Sequence, residues 1–132
     1  MNSNPSPIRI KEIAFVGYPV TNVARARAFY EGLLGLVPAQ IFGEEEGHAW
    51  IEYDIAGGTI AIASMGGGLW KPSSDGPSVA LEVEDFDATI AHLRASGAKF
   101  TLEAMESPGC WLAVTQDPDG NGIAIHHRKA KA

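Results

Sequence analysis

The order of apolar and polar positions along the chain writes the same short grammar twice. Ala14–Val20 and Val79–Val83 alternate with the period of two that marks a half-buried strand. Each run is followed by a residue suited to capping a helix, Asn22 or Asp85. After Asp85 the apolar residues Phe86, Ile90 and Leu93 recur at i, i+4 and i+7, and Gly97 ends the pattern. After Asn22 the side chains Val23, Ala26, Tyr30 and Leu33 share one helical face, with Gly35 beyond. Strands are predicted at His48–Asp54 and Thr59–Met65, matched by Trp111–Gln116 and Gly122–His127. Turn residues separate them: Ala56-Gly57-Gly58 in the first pair and Pro118-Asp119-Gly120-Asn121 in the second. Weaker strands near Val37–Phe42 and Lys99–Leu102 complete a βαβββ unit in each half.

The two halves also match residue by residue. Gly57–Ile62 reads GGTIAI and Gly120–Ile125 reads GNGIAI, an offset of 63 residues. Without a gap, that offset pairs Val16 with Val79, Val20 with Val83, Asn22 with Asp85, Ala28 with Ala91 and Asp54 with Asp117. An internal duplication is the reading that explains both the identities and the aligned elements. The predicted fold is α+β: two tandem βαβββ modules forming a cupped mixed sheet with helices outside. A single domain over 8–127 is expected, with modules 8–65 and 76–127, a Gly/Pro/Ser-rich linker at 66–75, a flexible leader at 1–7 and a tail at 128–132.

Composition narrows the class of partner. With 132 residues and 45% apolar content, the chain can bury one proper core. A net charge of −6 argues against nucleic acid or an anionic membrane as partner. No apolar stretch approaches the roughly 20 residues needed to span a bilayer. The first ten residues lack a hydrophobic signal region. One cysteine, Cys110, excludes an internal disulfide and fits a reducing compartment, so the cytoplasm is the expected location.

Two segments carry a resemblance. Val20-Thr21-Asn22, Ala28-Phe29-Tyr30 and Leu33-Leu34-Gly35-Leu36 resemble the V-S-D, F-Y and L-G-L stretch of the vicinal oxygen chelate (glyoxalase and bleomycin-resistance) superfamily. Asp117-Pro118-Asp119-Gly120-Asn121 resembles the turn before that family's last strand. The resemblance covers about Ile8 to His127. It implies a metal centre in a cupped sheet, each module giving a His near the start of its first strand and a Glu on its last. By motif alignment those four positions are Phe15, Ala61, Ser78 and Ala124, related in pairs by the same 63-residue offset. A phenyl ring and two methyl groups offer no lone pair, and a serine hydroxyl is a poor lone ligand. Neither the usual metal site nor any other cofactor is therefore expected. The resemblance also implies pairing of chains, and a homodimer is expected.

Strand alternation assigns the two faces. Ala49, Ile51, Ile60, Ile62, Val79, Leu81, Val83, Leu112, Val114, Ile123 and Ile125 should lie under the helices. The opposite parity should line the cup: a small-residue floor (Gly17, Ala61, Ala63, Ala80, Ala113, Ala124), aromatic walls (Phe15, Trp50, Trp111), and Pro19, Ser78 and Thr115. The polar groups turned the same way are His48, Glu52, Glu82 and His126. A roomy, mostly apolar hollow with few polar groups is the form of a small-molecule site. The predicted ligand-binding set is Phe15, His48, Trp50, Glu52, Ala61, Ser78, Glu82, Trp111, Ala124 and His126. Each has a plainer reading: the tryptophans as interface packing, the glutamates as solvated rim, His126 and His127 as surface residues, and His48 as part of the loop after Glu44-Glu45-Glu46. His92 should face solvent, Met65 and Met105 should pack, and Cys110 lacks a nearby partner for a nucleophilic role.

Three functional readings follow. The first is a metal-free binding protein for a small, partly aromatic ligand, neutral or cationic because Glu52 and Glu82 disfavour an anion. The second is a lyase or dioxygenase whose metal ligands have moved to His48, Glu52, Glu82 and His126. The third is a metal-free enzyme with a cup carboxylate or histidine as general base.

Overall fold

The structure is a computed structural model that describes Pro7 and residues 9–46, 48–64 and 70–130. The expectations for the rest of the leader, Ile8, Met65, the Gly66–Leu69 part of the linker and the last two tail residues lie outside the described residues. Eight strands and two helices follow in order: β1 Val16–Pro19, α1 Val23–Arg27, β2 Pro38–Phe42, β3 Trp50–Ile55, β4 Gly58–Ala63, β5 Val79–Glu82, α2 Phe86–Ala95, β6 Phe100–Glu106, β7 Cys110–Gln116 and β8 Gly122–Arg128. They form two four-stranded sheets of identical order, β1-β4-β3-β2 and β5-β8-β7-β6. In both, the first strand runs parallel to the last and the other pairs are antiparallel. The duplication is thus present in the strand order itself.

Both caps act as the sequence predicts. Asn22 Oδ1 accepts from Arg25 N at 2.9 Å and Asp85 Oδ1 accepts from Ala88 N at 3.0 Å, each satisfying a donor that the first turn leaves open. Beyond Arg27 the first helix widens into a π turn over Ala28–Leu33, with Leu34 N bonded to Phe29 O at 2.9 Å. That turn buries the adjacent Phe29 and Tyr30 together. Gly35, at φ 76°, then lets Leu36 N reach back to Tyr30 O and close the helix.

The core lies between the helices and one face of each sheet. Ile51, Tyr53, Ile60 and Ile62 of the first module and Ala113, Ile123 and Ile125 of the second pack with Ala26, Phe29, Tyr30, Phe86, Ile90 and Leu93.

One expectation fails here. The rungs Val16↔Ile60 and Val79↔Ile123 keep the 63-residue offset, but Ile51↔Ile62 corresponds to Ala113↔Ile125, so β7 matches β3 at an offset of 62. The cause is the turn. β3 and β4 are joined through Ala56 and Gly57, whereas Asp117 N bonds Asn121 O across the three residues Pro118, Asp119 and Gly120. A one-residue slip sends every side chain of a strand to the other face. Leu112 and Val114, predicted under the helices, therefore share the helix-free face with His126 and Ala124. Ala113 and Thr115, predicted in the cup, are buried on the helix side, where Thr115 Oγ1 donates to Lys99 O at 2.7 Å. Trp111 goes with them.

Side chains, rather than ladder rungs, stitch the modules together. Tyr18 Oη accepts from Val79 N at 2.6 Å and donates to Gly122 O at 3.0 Å, standing as a relay in the first rung of the β5–β8 pair. Asp117 is buried and accepts from Tyr30 Oη at 2.8 Å and from both nitrogens of Asn121 at 2.9 Å. Asn121 Nδ2 also donates to Pro19 O at 2.8 Å. Burial raises the hydroxyls of Tyr18 and Tyr30 above the usual phenol range, and the charge of Asp117 adds to this, so both remain donors. In the π turn, Glu31 accepts from Arg27 Nε at 2.7 Å and from Tyr53 Oη at 2.8 Å. Among the described residues no helix is long and apolar enough to cross a membrane.

Replacing Tyr18 with Phe should leave Val79 N and Gly122 O without their relay, which costs about 1–3 kcal/mol. Urea unfolding would show the loss, and amide exchange at Val79 should accelerate; unchanged values would mean the relay is dispensable. Glu31 supplies a pH test. Its bond from Arg27, with that from Tyr53, holds its carboxyl below the ordinary value of 4.5. A depressed folded-state pKa contributes stability that is complete above the unfolded value and lost as pH falls through the folded one. The stability gap between the parent and Glu31→Gln should therefore be full at neutral pH and shrink below about pH 4.5. A gap that is independent of pH would contradict this.

Candidate functional site

The helix-free face of the first module is set by its rungs. Gly17↔Ala61, Ala61↔Glu52, Ala63↔Trp50 and Trp50↔Phe42 place these residues on one side, and Gln40↔Glu52 extends the row. Phe15 meets Trp50 edge to face, ring centroids 5.0 Å apart at 89°. Trp50 Nε1 donates to Glu52 Oε2 at 2.8 Å, so this carboxylate already has a partner. In the second module the equivalent face carries Ala80 and Ala124, Glu82 and His126, Leu112, Val114, Leu102 and Met105. Ser78 stands just before β5, its Cβ 3.8 Å from where a side chain on Gly122 would begin.

Trp70, absent from the predicted site, comes from the linker and lies on this face. A Cβ built on Gly17 would stand 2.9 Å from Trp70 Cη2 and 3.5 Å from Phe15 Cε1. Position 17 therefore admits Trp70 because it has no side chain. Further along, Ser73 N donates to Asn121 Oδ1 at 3.1 Å, and Ser74 O comes within 4.0 Å of a Cβ at Gly122. The linker thus touches the helix-free faces of both modules. Nine large apolar side chains are exposed among the described residues, and five of them, Phe15, Phe42, Trp70, Leu102 and Met105, lie on these faces. This concentration of exposed apolar surface makes the helix-free faces the candidate site.

Two polar groups face each other at the end of the second module's face. Glu82 Oε1 is 2.5 Å from His126 Nδ1, and Glu82 Oε2 accepts from Arg128 N at 2.7 Å. The bond from the Arg128 amide, followed by that from His126, lowers the Glu82 carboxyl below its ordinary range. His127 points the opposite way, with Nδ1 2.7 Å from Val83 O.

Of the predicted site residues, Phe15, Trp50, Glu52, Ala61, Ser78, Glu82, Ala124 and His126 lie on the helix-free faces. Trp111 does not: its ring is 5.8 Å from that of His127 on the helix side, with Lys129 Nζ 4.7 Å above it. His48 is exposed ahead of β3 rather than on it. No three or more His, Cys, Asp or Glu side chains converge to hold a metal ion among the described residues. Cys110 opens β7 with Sγ 3.4 Å from Ser107 Oγ, and His92, exposed as predicted, has Nε2 3.3 Å from Leu33 O. Sequence reasoning missed Leu112 and Val114, which the extra residue of the second turn could have revealed, and Phe42, which alternates with Gln40. Nothing in the Gly/Ser-rich linker signalled where Trp70 would go.

A separate hollow of about 780 Å³ opens on the helix side of the module seam, lined by Val16, Leu34, Leu36, Ile60, Val79 and Leu81. The 63-residue offset puts Leu81 where the first module has Tyr18. The shorter side chain leaves unfilled the space that the ring fills on the other side. The lining is mostly aliphatic, with Thr59 and Glu82 at its edge, and it holds no aromatic side chain.

Two tandem βαβββ modules, with helices on one face and an apolar, aromatic surface on the other, define the class. The chain belongs to the glyoxalase/bleomycin resistance protein/dioxygenase superfamily, whose family model matches residues 12–125. Solved structures share the fold. One is a glyoxylase/bleomycin resistance protein/dioxygenase domain from Frankia sp. EAN1pec, 18% identical, covering 94% of this chain and 96% of that one with a TM-score of 0.74. Another is TnmS3, an antibiotic binding protein from Streptomyces sp. CB03234, 21% identical over 92% of this chain and 99% of that one, also at 0.74. A third is a glyoxalase family protein from Enterococcus faecalis, 22% identical over 88% and 97%, at 0.68. A comparison with curated proteins finds no match.

The Gly17–Trp70 contact is testable directly. Gly17→Val should push the indole off the sheet, seen as red-shifted tryptophan emission and easier acrylamide quenching in a Trp111→Phe background, with cooperative unfolding retained. Emission identical to the parent would show that Trp70 does not rest there.

Proposed function

We propose that the protein binds a small, partly aromatic molecule in the cup formed by the helix-free faces, without a metal ion. The observation that carries this reading is the gathering of exposed Phe15, Phe42, Trp70, Leu102 and Met105 on those faces, over the buried methyl groups of Ala61, Ala63 and Ala124. Aromatic walls above a small-residue floor accept a flat ligand and bury it. The residues at the family's metal positions do not fit an ion: Phe15, Ala61 and Ala124 have no donor atom, and Ser78 has one hydroxyl. The likeness in fold to an antibiotic binding protein supports binding as the activity. Glu52 and Glu82 favour a neutral or cationic ligand over an anion. A second copy of the chain closing the open rim at Phe42 and Met105 would give a homodimer, measurable by light scattering.

A melting screen of flat aromatic compounds tests the reading. Trp50→Ala should weaken a hit by about 0.5–1.5 kcal/mol beyond the area term, roughly 2- to 12-fold in Kd. Ala124→Phe should exclude the hit by filling the floor, and Trp111→Ala, altered on the other side of the sheet, should leave it unchanged. If Trp50→Ala and Ala124→Phe both bind like the parent, the cup is not the site. Elemental analysis should find no stoichiometric transition metal, whereas about one tightly held ion per chain would restore the reading with relocated ligands.

A further inference from the structure

We propose that His126, held by Glu82, is a general base that removes a proton from flat, C–H-acidic molecules bound in the cup. This rests on the binding reading above and adds a reaction to it. The parallel rung Glu82↔His126 places the two side chains side by side on the helix-free face. One carboxylate oxygen takes the Arg128 N–H at 2.7 Å and the other meets His126 Nδ1 at 2.5 Å. An ionised carboxylate only accepts, so Nδ1 is the nitrogen that carries the hydrogen. Nε2 is left with its lone pair and makes no hydrogen bond to a described residue. His126 lies one same-face step along β8 from Ala124, about 7 Å, and pairs with the apolar Leu112 on its other side.

The duplication shows that the fold does not require this pair. The 63-residue offset maps Glu82 to Pro19 and His126 to Ala63, so the first module makes the same strand pair with neither group. The adjacent His127 bonds Val83 O through Nδ1, which lies 4.0 Å from Glu82 Oε2, and its ring stands beside Trp111 on the helix side, so His126 is the imidazole that faces the cup. In the step itself, Nε2 takes the proton as the C–H bond breaks. The bonding electron pair stays with the substrate and moves into its electron-withdrawing group. The imidazolium charge is balanced by Glu82, which remains a positioning residue.

The probe is 5-nitrobenzisoxazole, flat and aromatic. Loss of its C3 proton sends the electron pair into a new C≡N bond while the N–O bond breaks to give a coloured phenolate. The parent should turn it over about 10²-fold faster than His126→Gln. Glu82→Gln should lower kcat and leave KM within about twofold, because it disturbs orientation rather than binding. Nitrogen-15 spectra of the imidazole should show the Nδ1–H tautomer in the parent and a mixture in Glu82→Gln, a change that a merely structural role would not produce. Equal rates for the parent and His126→Gln, or the same tautomer with and without the Glu82 carboxylate, would overturn the proposal. Quenching of Trp50 and Trp70 by the probe is measured alongside. Quenching without a rate difference removes the base and leaves the binding reading standing, and a lack of quenching counts against the cup itself.

Discussion

The arrangement rests on one buried carboxylate. Asp117 directly follows β7, is almost without solvent contact, and takes hydrogen bonds from Tyr30 of the first module and from the Asn121 main-chain and side-chain nitrogens of its own turn. A charge in that position is tolerated because its lone pairs are met. The same Asn121 reaches the Pro19 carbonyl at the end of β1 and the Ser73 amide of the linker. One turn therefore fixes where the π turn of the first module, the end of its first strand and the linker stand relative to the second sheet. Together with the Tyr18 relay, it sets how the two helix-free faces stand to each other.

The repeat makes the departures from symmetry informative. Where the first module has Tyr18, the second has Leu81; where it has Pro19 and Ala63, the second has Glu82 and His126. Trp50 corresponds to Leu112 once the slip in β7 is counted. Aromatic surface has thus collected on the first module's helix-free face, beside Glu52, and the Glu82–His126 pair on the second's. A ligand with an apolar ring and a polar end would fit that division better than a uniform one.

Most of the architecture could be read in the chain, because it depends on local signals. Alternation at Val16–Val20 and Val79–Val83, the caps Asn22 and Asp85, and the shared GxxIAI segments all act over a few residues or repeat at a fixed distance. What could not be read depends on context. The π turn at Ala28–Leu33 has no distinguishing composition, and the seat of Trp70 depends on space left by a glycine more than fifty residues away in sequence. The side taken by Trp111 depends on the extra residue of the DPDGN turn, which shifts β7 by one position without breaking its apolar alternation.

That extra residue bears on how such proteins diversify. In a sheet with one face against helices and one open to a ligand, the length of a tight turn decides which alternate side chains of the next strand look into the cavity. Losing one residue between Gln116 and Gly122 would exchange Leu112 and Val114 for Trp111, Ala113 and Thr115 in a single event. Point substitutions alter a binding surface one contact at a time. An insertion or deletion here replaces an entire wall at once while strand order and chain path stay the same, so relatives with nearly superimposable backbones can present unrelated cavities.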